Sequence, residues 1–115
     1  MRRGELYWAE LGLGWGRRPV LVVLRDESLR RVSNIVVAPI STNVRGLESE
    51  VPVGPAEGLR NASAAKCDWL MSVHRGEFDA RPVGRLGDIK LRRLKYALRY
   101  TLDIKCPRGR PGGGP

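Results

Sequence analysis

Apolar positions come in short runs over the first two thirds of the chain, separated by turn residues. Gly4 to Glu10 contains Leu6, Tyr7 and Trp8, good strand formers, and Gly12-Leu13-Gly14-Trp15-Gly16 then breaks the pattern as a loop. Pro19 to Leu24 is continuously apolar, as expected of a strand buried on both faces. Asp26 to Arg31 is polar, a connection or a short helical turn. Asn34 to Ile40 predicts a second buried strand. Pro39, near its end, has no N–H for a ladder and predicts an edge or a strand exit. Ser41 to Leu47 is a polar loop, Glu50 to Val53 alternates as a short strand, and Gly54 to Gly58 is turn-rich. Ala64 to Val73 reads as one strand region, His74 to Arg81 as a short helix or loop, and Pro82 to Leu86 as a last short strand.

The period then changes. Leu91, Leu94, Leu98 and Leu102 recur at spacings of three and four, one face of a helix with Asp88 as N-cap and Pro107 as stop. Arg92, Arg93, Lys95 and Arg99 fall off that face. Arg108 to Pro115 is rich in Gly and Pro, which predicts a domain over 1–105 and a flexible tail over 106–115. Short strands followed by one helix imply a mainly β (α+β) fold, a small curled sheet or barrel with the helix packed on it.

Composition narrows the picture. The chain has 115 residues, enough for one domain with one core, and its 42% hydrophobic and 29% charged residues suit a folded soluble protein. No apolar run approaches the roughly 18 residues of a membrane span, and the first residues lead into no signal peptide, so a cytoplasmic protein is expected. Cys67 and Cys106 are too few for a disulfide framework or a four-cysteine zinc site. The net charge is +9. Residues 1–80 hold 11 basic and 10 acidic side chains, whereas residues 81–115 hold 10 basic and 2 acidic ones. A basic end attracts a polyanionic or acidic partner, or simply coats a helix in solvent.

Three places offer chemistry. Arg17-Arg18-Pro19 joins the glycine-rich loop to a buried strand, and Pro19 biases Arg18 towards an extended conformation. A guanidinium held there matches a phosphate and can stabilise charge developing on its oxygens. An ordinary surface arginine at a strand start has the same local sequence. Ser41-Thr42-Asn43 follows the second buried strand, where its hydroxyls can bond a phosphate or ribose 2′-OH, or cap a turn. Trp15 lies near two arginines, either as a platform for an unpaired base or as a loop anchor. Trp8 is expected in the core. Glu48 and Glu50 alternate along a strand and are expected to face solvent. His74 has no Ser or carboxylate at a spacing that suggests a triad and is expected at the surface. One His and two distant Cys give no metal site.

Taken together, the segments resemble the MazF/PemK family of bacterial toxin–antitoxin ribonucleases. The resemblance runs from about residue 2 to 104. It is carried by Arg3-Gly4-Glu5-Leu6-Tyr7-Trp8, Arg18-Pro19-Val20-Leu21-Val22-Val23, Val36-Val37-Ala38-Pro39-Ile40-Ser41-Thr42, Glu50-Val51-Pro52-Val53, Gly58-Leu59, Ser63, Cys67-Asp68 and Val83-Gly84-Arg85-Leu86. It implies an SH3-like β-barrel with a C-terminal helix, a homodimer, and cleavage of single-stranded RNA, often at a short sequence, without metal or cofactor. The implied products are a 2′,3′-cyclic phosphate and a 5′-hydroxyl. A cognate antitoxin would lay an acidic, extended segment over the RNA groove.

The family's essential arginine before proline maps onto Arg18 and its essential threonine onto Ser41, which makes these two the implied catalytic residues. Trp15, Arg17, Thr42, Asn43, Arg45 and Trp69 are the expected RNA contacts. Ser41 keeps the hydroxyl but loses the β-branch that restricts its rotamer. The loop Gly12 to Arg17 is short and carries no acid. Trp69 and Met71 stand where many members have Gln and Arg or Lys, which predicts a different base preference. Two other classes remain open at this point: a non-enzymatic gyrase poison of the CcdB type, which shares the fold, and an RNA-binding barrel without catalysis.

Overall fold

The computed structural model describes residues 1–12 and 14–105; the expected tail, including Cys106, lies outside the described residues. The elements are β1 (Glu5–Glu10), β2 (Arg17–Val22), α1 (Asp26–Leu29), β3 (Asn34–Ser41), β4 (Glu50–Val53), β5 (Ser63–Lys66), β6 (Met71–His74), β7 (Gly84–Arg85) and α2 (Asp88–Leu102). All strand pairings are antiparallel, in the order β4-β5-β3-β2-β1-β7, with β6 also pairing β3. The sheet curls into an open barrel and α2 packs on it, as the alternation and the terminal helical period predict.

The apolar runs of β1, β2 and β3 are buried on both faces because successive side chains alternate. Leu6, Leu21, Ala38 and Ile40 join Leu94 and Ala97 of α2 in one core. Tyr7, Val20, Val22, Ile35 and Val37 face the other way, towards Leu29 of α1 and Val73 of β6. The ring of Phe78 meets Tyr7 edge-on at 5.9 Å between centroids. Ladder and helix together hold the Arg17–Pro19 and Pro39–Ser41 segments in fixed places.

Several expectations are corrected. Residues 64–73 are not one strand. Cys67–Trp69 forms a 3-10 turn that carries the chain from β5, beside the end of β3, to β6, beside its start. Pro39 lies near the expected strand exit, two residues before β3 ends, and not in an edge strand. It pairs Val20 in a central strand, at the gap where β6 has stopped at Val37 and β5 begins at Ile40, so no ladder on that side needs its N–H. Trp8 is 38% exposed rather than core, because it faces the open concavity that Arg17 also lines. Leu102 is 52% exposed and does not join the core that Leu91, Leu94 and Leu98 reach. Gly87, not Asp88, is the N-cap, and α2 ends at Asp103 in a left-handed conformation before Pro107 is reached. Glu50 is buried at 3% exposure. His74 is at the surface, as expected, and its Nδ1 accepts the Gly76 N–H.

Candidate active site

Two strands bring the first candidates together. β2 pairs β3 with Val20 opposite Pro39. Arg18 lies two residues before Val20 and Ser41 two residues after Pro39, and both line the same two concavities. Arg18 is half-buried, and its guanidinium is sparsely bonded: one Nη1–H donates to the Ile40 carbonyl at 3.4 Å, and its buried Nε has no partner. A guanidinium has five donors in a planar fork, and Arg18 lines the cleft with most of them unpaired within the chain. Its cationic carbon lies 5.0 Å from the centre of the Trp15 ring, which fixes its tilt.

Ser41 ends β3. Its Oγ accepts the Asn43 N–H at 3.0 Å, so the turn-capping role is real. A hydroxyl that accepts in this way still has its own proton to donate. The following loop is held from beneath. Glu50 and Lys66 are direct cross-strand partners in β4 and β5, 2.5 Å apart, and both side chains are mostly buried. Burial alone would push the Glu50 carboxyl up. Hydrogen bonds from Lys66 and from the Arg45 and Leu47 N–H groups, with the Lys66 charge, outweigh it and hold that carboxyl below its usual range.

A cleft of about 190 Å³ is lined by Trp15, Arg18, Ser41, Asn43, Arg45 and Trp69, six of the eight residues singled out in the sequence. Lys66, Glu50 and Asp68 line it too. Trp15 meets Trp69 edge to face at 5.2 Å between centroids, and Trp69 is 56% exposed. Arg17 and Thr42 fall outside this cleft. They line a second, more open concavity of about 350 Å³ with Trp8 and Arg60, and Arg18 and Ser41 border both. Arg17 is engaged there: its two Nη groups donate to the Asp79 carboxylate at 2.9 and 2.5 Å, and it lies 5.6 Å from the Trp8 ring centre. The hydrogen bond from Arg17 holds the exposed Asp79 carboxyl below its usual range.

Lys66, Glu50 and Asp68 were missed in the sequence. Opposite charges in two short neighbouring strands were visible there, but the register that makes Glu50 face Lys66 was not. Among the described residues, no three His, Cys, Asp or Glu side chains gather to hold a metal ion. Burial pushes the Cys67 thiol up to about 12, with the Asp68 charge adding to it, so Cys67 is a core residue and not a nucleophile.

The chain as a whole has known relatives. A family model described as PemK-like, MazF-like toxin of type II toxin-antitoxin system matches residues 2–102. The chain belongs to this family. It is 39% identical over 102 residues to the probable endoribonuclease MazF5 of Mycobacterium tuberculosis, covering 88% of this chain and 92% of that protein. It is 33% identical over 102 residues to the probable endoribonuclease MazF2 of the same species, covering 88% and 97%. The solved structure of the M. tuberculosis toxin MazF-mt6 superposes with a TM-score of 0.80 at 31% identity, covering 89% of this chain and 99% of that one. A MazF-like chain is thus what the half-barrel and its terminal helix form. No helix among the described residues is long and apolar enough to cross a membrane.

Proposed function

We propose that this MazF-like chain is a toxin endoribonuclease that cuts single-stranded RNA, with Arg18 and Ser41 as its catalytic residues. The observation that carries the reading is the under-bonded Arg18 guanidinium, which with Ser41 borders both concavities. An RNA strand crossing that border puts a phosphate against Arg18 and its neighbouring nucleotides in the two concavities. The ribose 2′-oxygen attacks the adjacent phosphorus and the P–O5′ bond breaks, leaving a 2′,3′-cyclic phosphate and a 5′-hydroxyl. Arg18 stabilises the charge that builds on the non-bridging oxygens, and Ser41 donates to one of them. Arginine is too weak an acid to be the base. Of the cleft's carboxylates, Glu50 is occupied by Lys66 and loop amides, which leaves exposed Asp68 to accept the 2′-OH proton. Water returns a proton to the 5′-oxygen.

Trp15 and Trp69 offer faces for an unpaired base, while Asn43 and Arg45 reach its edge or a phosphate. Arg17 and Thr42 serve the second concavity. The +9 charge supports both an RNA substrate and an acidic antitoxin segment competing for the same groove. The chain works in the cytoplasm as a homodimer, and its chemistry needs no metal or cofactor.

The test is an RNA oligonucleotide with one 2′-deoxy substitution at the cut. Wild type cleaves the all-ribose strand, binds the substituted one equally and leaves it intact. Ser41→Ala lowers cleavage about 10²-fold, Ser41→Thr keeps it, and Trp69→Ala changes the preferred sequence around the cut. Scission of the 2′-deoxy strand would refute the mechanism.

A further inference from the structure

Residues 42–49 form the loop that brings Asn43 and Arg45 to the cleft, and they contain no helix or strand. Three successive N–H groups of this loop nevertheless converge on one carboxylate. Glu50 Oε1 accepts from Arg45 at 3.1 Å, Gly46 at 2.9 Å and Leu47 at 3.4 Å, and Oε2 accepts from Lys66 Nζ at 2.5 Å. Gly46 makes this possible with a φ of +71°, in the left-handed region that turns consecutive amides inward. Lys66 Nζ also donates to the Asn43 carbonyl at 2.5 Å. The N–H of that same residue is bound by Ser41 Oγ. From outside, Arg93 of α2 donates to the Leu47 carbonyl at 3.2 Å, and the Tyr96 hydroxyl to Glu48.

Surface display of Asn43 and Arg45 does not require a charge beneath them. A buried carboxylate is unfavourable unless it is paired and fully hydrogen-bonded, and an apolar residue at position 50 would fill the space without that demand. What only the charge supplies is a fixed loop. We infer that Glu50 is a positioning residue for RNA cleavage: with Lys66 it latches the loop after Ser41 into the shape that presents Ser41, Asn43 and Arg45 to the scissile phosphate. The inference rests on the ribonuclease reading of this cleft. Glu50 touches no reacting atom in it and acts through the loop.

The test uses Glu50→Gln, Lys66→Met and the double variant of the full chain. Steady-state cleavage of an RNA oligonucleotide and amide hydrogen exchange by NMR are measured on each. Gln keeps the size of Glu but removes the charge that binds Lys66 and turns an NH2 towards donors. The latch predicts a kcat for Glu50→Gln lowered about ten- to a hundredfold, with KM little changed. It predicts faster exchange at Arg45, Gly46 and Leu47, while the β2 amides keep wild-type protection. It also predicts a double variant no worse than the worse single, because the pair acts as a unit. Wild-type kcat, wild-type exchange at those three amides, or losses that simply add would overturn it. If Glu50→Gln unfolds, Lys66→Met against Lys66→Arg decides: the latch requires Arg to keep what Met loses. Wild type that leaves all RNA intact removes the ribonuclease reading instead, and the amide exchange then judges the latch by itself.

Discussion

Arg17 and Arg18 are adjacent and identical in kind, yet the fold gives them different surroundings. Arg17 spends its fork on Asp79 at the surface, an exposed pair of little energetic weight. Arg18 makes one side-chain hydrogen bond, to the Ile40 carbonyl, and lines both concavities with Ser41. Arg18→Lys therefore lowers kcat about 10²-fold, because an ammonium is a point charge that cannot reproduce the planar fork. Arg17→Ala raises KM, because Arg17 serves RNA binding in the second concavity, and changes kcat less than about threefold. Equal losses in the two variants, measured on one oligonucleotide, would contradict the assignment. Arg18 stood out in the sequence because it adjoins Pro19, and Ser41 because it closes an apolar run two residues after Pro39. Glu50 was not: alternation makes it look solvent-facing, and only the fold of residues 42–47 over it, with Lys66 opposite, buries it. Trp8 failed for a related reason, since its strand-former signal says nothing about the concavity it lines.

Elements were legible in kind and less so in their breaks. The both-face burial of residues 20–22 follows from an unbroken apolar run, and the terminal helix from its leucine spacing. The corner at Cys67–Trp69 left no glycine or proline to mark it. One junction depends on a missing side chain. At Gly84, in β7, an added Cβ would lie 2.1 Å from the Glu57 carbonyl oxygen, and backbone cannot withdraw as a flexible side chain can. Gly84→Ala is expected to cost about 3 kcal/mol in denaturant unfolding, read as a lower midpoint with unchanged slope. The buried Glu57 next to that contact pairs with Lys90 of α2 at 2.8 Å, so the junction also seats the helix.

At the scale of the molecule, charge links stability, partner and site. The Glu50 carboxyl is held below its ordinary value of 4.5 in the folded protein. A depressed native carboxyl contributes stability that is fully present above its unfolded value and lost as pH falls through the native one. Wild type should therefore lose Tm more steeply than Glu50→Gln on acidification below about pH 4.5. Parallel acid profiles would mean that Glu50 is not stabilised in the fold.

The claim that joins these scales is that Arg18 drives scission of RNA at the border of two concavities. Purified protein is incubated with a long unstructured RNA in EDTA, with Arg18→Ala in parallel, and fragment ends are mapped. Wild type alone is expected to cleave, at recurrent short sites, leaving 5′-hydroxyl ends. Intact RNA with folded, antitoxin-free wild type, or equal cutting by Arg18→Ala, would contradict it.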